Sequence, residues 1–414
     1  MLRRLKPDPL NLLVNTSVGK HTKQNYSYIL PLVEGFFCPQ IKQKGGDLKM
    51  KKLITMVLTA VLTAVCLAGC SSGSTSSAVS SGSTEQSLSS TSGSETAENT
   101  ELEDFDLVLD WYPNAVHAFI YDAIEKGYFA EEGLNVNVLF PSNSNDAISL
   151  TAAGKADAGL YYQDDIIMAI ANEDVPVKII GSVVQEPLDL IASLSEKNIT
   201  HPKDLEGKTL GYTGVAFSEA VINAMMESDG SSIDKVNLIN VGFDLMSAMT
   251  TGNVDATFGC FINHEIPQLE KEGFDMSYFV PSEYGVPNYY SLVFVANKDS
   301  SEKENDKYYR FLRACSKGFY DMKTDPEGTL EILLSNQNED NFPLDPDVET
   351  ESINILLPMM EKEYAPFLSQ DPNCYLENIN WLYDNGLLNE KIDVSEVYID
   401  CIDGDYYLGE DEVQ

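Results

Sequence analysis

Between Asp106 and Ile262 the chain alternates short apolar runs with amphipathic stretches, a pattern that leaves few folds open. DLVLDW (106–111) reads as a strand, and HAFIYDAIEKGYFAEEG as an amphipathic helix ending at Gly133. LNVNVLF follows as a strand with apolar residues at alternate positions. Then come a helix NDAISLTAAGKA, a strand DAGLYY, a helix QDDIIMAIANED and a strand VKIIGSVV. Strands separated by helices predict a parallel sheet with crossover connections. Near residue 200 the register restarts: a turn-rich ITHPKDLEG leads to strand KTLGYT, helix SEAVINAMMES, strand VNLINVGF, helix DLMSAMTTG and strand DATFGCFI. SLVFVANK (291–298) reads as a strand returning to the first lobe. From Glu302 onward the pattern is mainly helical, including YYRFLRACSKGFYDMK and INILLPMMEKEYAPF.

About 310 residues from Glu103 onward are too many for one typical core and suit two. The fold class expected is α/β, with two α/β lobes, a hinge and an interlobe cleft. Lobe 1 is assigned to 103–198 and lobe 2 to 199–290. Residues 291–405 return to lobe 1 with C-terminal helices, and 406–414 form an acidic tail. Ligands of open α/β sheets sit beyond the carboxyl ends of strands, so each strand-to-helix junction is a candidate site.

The region ahead of the lobes has a different composition. MKKLITMVLTAVLTAVCLAGC (50–70) has a basic start, an apolar run and small residues before Cys70, the features of a secretory signal peptide. The run is short and wrongly flanked for a transmembrane helix. LAGC looks like the lipobox of bacterial lipoproteins, in which a diacylglyceryl group is attached to the cysteine before cleavage; Cys70 is the expected lipidation site. Residues 1–49 precede this complete signal and are expected to be a gene-start artefact. Residues 71–102, rich in Ser and Thr, bury too little to offset the entropy of ordering. They are expected to form a disordered tether with a reach of roughly 30 Å. Anchor plus tether places the working part outside the membrane of a bacterial cell.

Of 27 basic and 65 acidic residues, 10 and 3 precede Ser71, leaving 17 against 62. So acidic a chain argues against nucleic acid or anionic lipid as a partner. Four cysteines follow the anchor, Cys260, Cys315, Cys374 and Cys401, at spacings that match no zinc pattern. Disulfides are permitted outside the cell, and the spacings fix no pairing.

Several segments carry a resemblance across residues 104–335: LDWYPNAVHAFIYDAIEKGYFAEEGLNV, GKADAGLYYQDDIIMAIANEDVPVKIIGSVVQEPL, DLEGKTLGYTG and FGCFINHE. In these the chain resembles the substrate-binding lipoproteins of bacterial ABC importers. KGYFAEEGLNV and KADAG also occur in relatives that bind alkylsulfonates, nitrate or riboflavin. W-x-P-N-x-x-H is narrower and points to the branch that binds thiamine-pyrimidine precursors. GCFINHE departs from the Tyr/Trp-rich version usual there, with Phe261 and Ile262 in place. The resemblance implies a type II periplasmic-binding-protein-like fold and capture of a small pyrimidine by a monomer. It also implies delivery to an ABC permease powered by a separate ATPase.

An aminopyrimidine has two π faces and an edge of donors and acceptors, so its site calls for aromatic rings and a few oriented polar groups. Trp111 is a candidate stacking face, or else core packing. Asn114 reads the ligand edge or caps the helix. His117 contacts ligand or is held at the helix start. One of Tyr161 and Tyr162 should face the cleft by strand alternation, followed by Gln163. Gly214, Val215, Ala216, Phe217 and Ser218 open a helix whose free N–H groups can hold a polar group. From the second lobe come Asn263, His264 and Glu265, the last either accepting from a ring amino group or solvated.

The competing class is an enzyme, because the family also resembles the eukaryotic synthase that makes the thiamine pyrimidine from pyridoxal phosphate and its own histidine. That synthase carries Lys and His after the strand corresponding to DAGLYY, and a cysteine cluster in its second lobe. Here the strand ends Tyr161-Tyr162-Gln163-Asp164-Asp165, and the second-lobe segment offers only Cys260. With four histidines and no G-x-S-x-G, H-E-x-x-H or G-x-x-x-x-G-K-[ST], the expectation is a binding protein without catalytic residues, metal or cofactor. Riboflavin, another heterocycle or a sulfonate is the alternative ligand.

Overall fold

The computed structural model describes residues 102–143, 145–242, 244–337 and 343–401. The expected gene-start segment, the signal peptide with Cys70, the tether up to residue 101 and the tail 406–414 lie outside the described residues.

Among the described residues ten strands follow one another: β1 Glu103–Val108, β2 Leu134–Leu139, β3 Ala158–Tyr161, β4 Val177–Val184, β5 Asp189–Leu194, β6 Thr209–Tyr212, β7 Asn237–Asn240, β8 Ala256–Phe261, β9 Met276–Phe279 and β10 Leu292–Asn297. They form two five-stranded sheets, ordered β2-β1-β3-β10-β4 and β7-β6-β8-β5-β9. Within each, three neighbouring strands are parallel and the fourth, β10 or β5, runs antiparallel to both its neighbours. The return of 291–298 to the first lobe is thus present as β10. The expected lobe boundary at 198/199 is corrected: β5 bonds to β8 and β9, so the chain crosses over residues 185–188. It crosses back between Phe279 and Leu292. β5 and β9 each belong to a sheet through partners distant in sequence, which local periodicity does not reveal.

Both faces of the first sheet are covered, which is why every residue of β4 is buried. In β10 the alternation sends Leu292, Phe294 and Ala296 to one core, with Phe105, Phe119 and Phe311, and Val293 and Val295 to another, with Ile166 and Tyr375. Phe105 stacks on Phe311 at 4.3 Å. The stretch expected as one helix to Gly133 is instead a 3-10 turn Ala115–His117, a helix Ala118–Glu125 and a short helix Tyr128–Glu131. The break is Gly127, whose φ of +80° is left-handed.

The C-terminal part is helical as expected, with Asn305–Thr324, Pro326–Ser335, Pro346–Met360 and Pro372–Asp384. The last three share one starting device, an Asp cap followed by Pro: Asp325, Asp345 and Asp371 accept from backbone N–H groups of the first turn. Helix Pro346–Met360 touches both lobes, packing on Ala115–His117 and on helix Glu265–Lys271. Cys260, Cys315, Cys374 and Cys401 are all free thiols. Among the described residues no helix is long and apolar enough to cross a membrane.

Candidate functional site

β1 ends at Val108, so Asp110 to Asn114 form a turn at its carboxyl end. Trp111 is 42 % exposed and meets Tyr112 edge to face at 5.8 Å, which rules out the core-packing alternative. Asn114 is the helix cap: its Oδ1 accepts from Val116 N at 3.0 Å, and its Nδ2 donates to Tyr112 O at 3.3 Å. His117 returns the bond, its Nδ1 accepting from Asn114 N at 3.2 Å. With Nδ1 an acceptor, Nε2 carries the hydrogen and donates to Asp110 Oδ1 at 2.9 Å. His117 is fully buried, which places it behind the turn as a positioning group and not against a ligand.

At the end of β3 the two tyrosines differ in burial. Tyr161 is core, whereas Tyr162 is half-buried and donates from its hydroxyl to Asp110 Oδ2 at 3.3 Å. Gln163 is sealed, its Oε1 accepting from Tyr290 N at 3.2 Å, so it is corrected from a ligand contact to a brace for the returning crossing. Asp164 and Asp165 follow, and Asp189 at the start of β5 bonds the Tyr289 hydroxyl. Burial and the neighbouring Asp165 and Asp189 hold the Asp164 carboxyl well above the usual range. Burial and Asp189 push Asp165 up to about 6. Burial also raises Asp189, against the opposing Tyr289 hydrogen bond.

In the second lobe Gly214, Val215 and Ala216 are exposed at the start of helix Ala216–Ser228, which has no side-chain cap. Gly214 has φ +83°, and a Cβ there would lie 1.9 Å from Asn240 Nδ2. Phe217 packs edge to face on Tyr289 and Trp381, bridging the second lobe to helix Pro372–Asp384, and Ser218 is buried. In β8, Gly259 is an extra residue: Leu190 faces Cys260 and Ile191 faces Phe258, and Gly259 takes φ +109°. This bulge reverses the alternation, sending Phe258 and Cys260 to different cores. Asn263 is buried and donates to Ser352 Oγ at 3.0 Å. Glu265 is partly exposed; it accepts from Phe261 N at 2.8 Å and lies 3.2 Å from His264 Nδ1. The Glu265 bond raises the His264 pKa above its ordinary value.

A cleft of about 350 Å³ lies where these elements meet. Its first-lobe wall is Trp111 to Asn114, and its second-lobe wall is Met246, His264, Gln268 and Glu272. The third wall comes from Pro343, Leu344, Asp345, Val348 and Glu349, at the start of helix Pro346–Met360. Glu349 is 1 % exposed, its Oε2 accepts from Ala115 N at 2.7 Å, and burial raises its pKa. Of the sequence candidates, Trp111 and Asn114 line this cleft. Tyr162 adjoins it through Asp110, and Asn263 and Glu265 flank His264. Gly214 to Ser218 belong to a separate junction. The sequence reading missed Asp110, Asp165, Asp189 and Glu349, and it named His264, which lines the cleft. The run Tyr-Tyr-Gln-Asp-Asp held a local signal for Asp165, whereas Glu349 had none.

The profile of the NMT1/THI5-like family matches residues 114–329. The formylaminopyrimidine-binding protein of Halalkalibacterium halodurans is 42 % identical over 316 residues, covering 76 % of this chain and 96 % of that one. The 4-amino-5-hydroxymethyl-2-methylpyrimidine phosphate synthase of Uromyces fabae is 27 % identical, covering 58 % of this chain and 72 % of that one. Among solved structures, the periplasmic aliphatic sulphonate binding protein SsuA of Escherichia coli superposes with a TM-score of 0.58 at 14 % identity. That match covers 72 % of this chain and 92 % of that one.

Proposed function

Because this chain belongs to the NMT1/THI5-like family, we propose that it is the extracytoplasmic solute-binding lipoprotein of an ABC importer, capturing an aminopyrimidine precursor of thiamine. The observation that carries this reading is the make-up of the cleft. It sets the indole of Trp111 beside Glu272, Asp345 and Glu349, and no Lys or Arg lines it among the described residues. An aromatic face with acidic walls suits a flat heterocycle whose amino groups donate hydrogen bonds. A sulfonate calls for a strong positive charge, and among the described residues no Lys or Arg lines the cleft.

The mechanism is capture without turnover. The ligand enters between open lobes, and rotation about the crossings at 185–188 and 280–291 buries it between both walls. The closed protein docks on a permease, with a separate ATPase supplying the energy. Lipidation of Cys70 and the tether keep the protein near that permease and raise its effective concentration. Trp111 stacks on the ring, Tyr162 and Asp110 stiffen the turn, and Asp165 with Asp189 make the neighbouring potential negative. The protein works as a monomer, with no nucleic acid, metal or cofactor.

A thermal-shift and calorimetric panel of formylaminopyrimidine, hydroxymethylpyrimidine, thiamine, riboflavin and alkanesulfonates tests the reading. Stabilisation by the aminopyrimidines is expected. A response to riboflavin or a sulfonate alone, or turnover of any pyrimidine, overturns it.

A further inference from the structure

Glu349 lies beyond the residues matched by the family profile, 234 positions from the Ala115 amide that it accepts. It sits in the first turn of helix Pro346–Met360 and shares the cleft wall with Trp111, Asn114 and His264. Only Oε2 is engaged. Among the described residues Oε1 has no hydrogen-bond donor, and it is not among the sealed, unsatisfied polar atoms. A carboxylate otherwise enclosed, with one oxygen open to the cleft and free to accept, needs a donor there once a ligand displaces the water.

We propose that Glu349 is the specificity-determining acceptor for the exocyclic amino group of the bound pyrimidine. Oε2 stays on the Ala115 amide and Oε1 takes the ligand N–H. This rests on the aminopyrimidine reading given above and adds a residue to it. The Ala115 bond fixes the carboxylate plane relative to the turn that carries Trp111, so ring stacking and amino recognition are set by one rigid unit. Burial raises the Glu349 pKa, while the Ala115 hydrogen bond and the nearby His264 favour its charged form. A bound pyrimidine without the amino group covers Oε1, displaces its water and offers no donor in return, which is how a polar site rejects an analogue lacking a donor.

The test compares two probes on the intact protein by calorimetry: 4-amino-5-hydroxymethyl-2-methylpyrimidine and the same compound without its amino group. The wild type is expected to bind the amino compound at least roughly tenfold more tightly, the scale of a hydrogen bond to a charged group. Glu349→Gln keeps a carbonyl for the Ala115 amide but turns an NH2 toward the ligand, and is expected to erase that preference. Equal affinities in the wild type, or an equal loss for both probes in Glu349→Gln, overturns the assignment. Should Glu349→Gln not fold, Glu349→Asp, which keeps the charge but draws it back, is expected to shrink the preference, and an unchanged preference overturns the assignment. Binding of neither probe by the wild type overturns the functional reading and this assignment together.

Discussion

His117 Nε2 lies 2.9 Å from Asp110 Oδ1 with both side chains buried, and the other oxygen of Asp110 receives the Tyr162 hydroxyl. One carboxylate thereby ties the end of β1 to the end of β3 and holds the turn that presents Trp111. Replacing His117 by Ala strands that carboxylate. We expect a loss of roughly 2 kcal/mol in urea unfolding, with an unchanged m-value. A loss below about 0.5 kcal/mol contradicts the role.

Trp111 answers to a different measurement. Because it is 42 % exposed, Trp111→Ala should change stability by less than about 1 kcal/mol. Aminopyrimidine binding should weaken at least roughly tenfold, the scale of an aromatic stacking contact. A collapsed melting temperature with retained binding is the opposite outcome.

Gly214→Ala is expected to destabilise by about 1–3 kcal/mol, from the left-handed backbone and the collision with Asn240. Asn240 can swing clear only by releasing Gly242 N, which its Oδ1 accepts at 2.9 Å. Thermal unfolding reads the cost, and an unchanged Tm refutes it.

Asp165 makes stability fall as pH rises. Its folded pKa of about 6 exceeds the ordinary 3.8, so the native state holds the proton more tightly than the unfolded chain. The contribution is present below pH 4 and lost as pH climbs to 6. Asp165→Asn should therefore raise the Tm at pH 7.5 and flatten the profile between pH 4 and 6. Parallel profiles for wild type and variant would refute the assignment.

What the chain reveals before folding follows from the range of each interaction. The strand–helix alternation, the return of β10 and the exposed Trp111 at a strand end are local patterns, and they survive in the structure. β5 and β9 were invisible because only distant hydrogen-bond partners make them strands. For His117 the sequence left two readings open, because a histidine beside a cleft has the same sequence whether it faces in or backs the turn. Glu349 meets Ala115 only when helix Pro346–Met360 docks, and no periodicity encodes that encounter.

The strand order has a consequence for biosynthesis. β4 never bonds to β3, because β10 fills the slot between them. A nascent chain that has emerged only as far as β9 holds every strand of the second sheet, β5 to β9, while the first sheet still lacks the strand that joins β3 to β4. The second lobe can therefore close first. The first waits for Leu292–Asn297 to insert antiparallel between two strands made long before it.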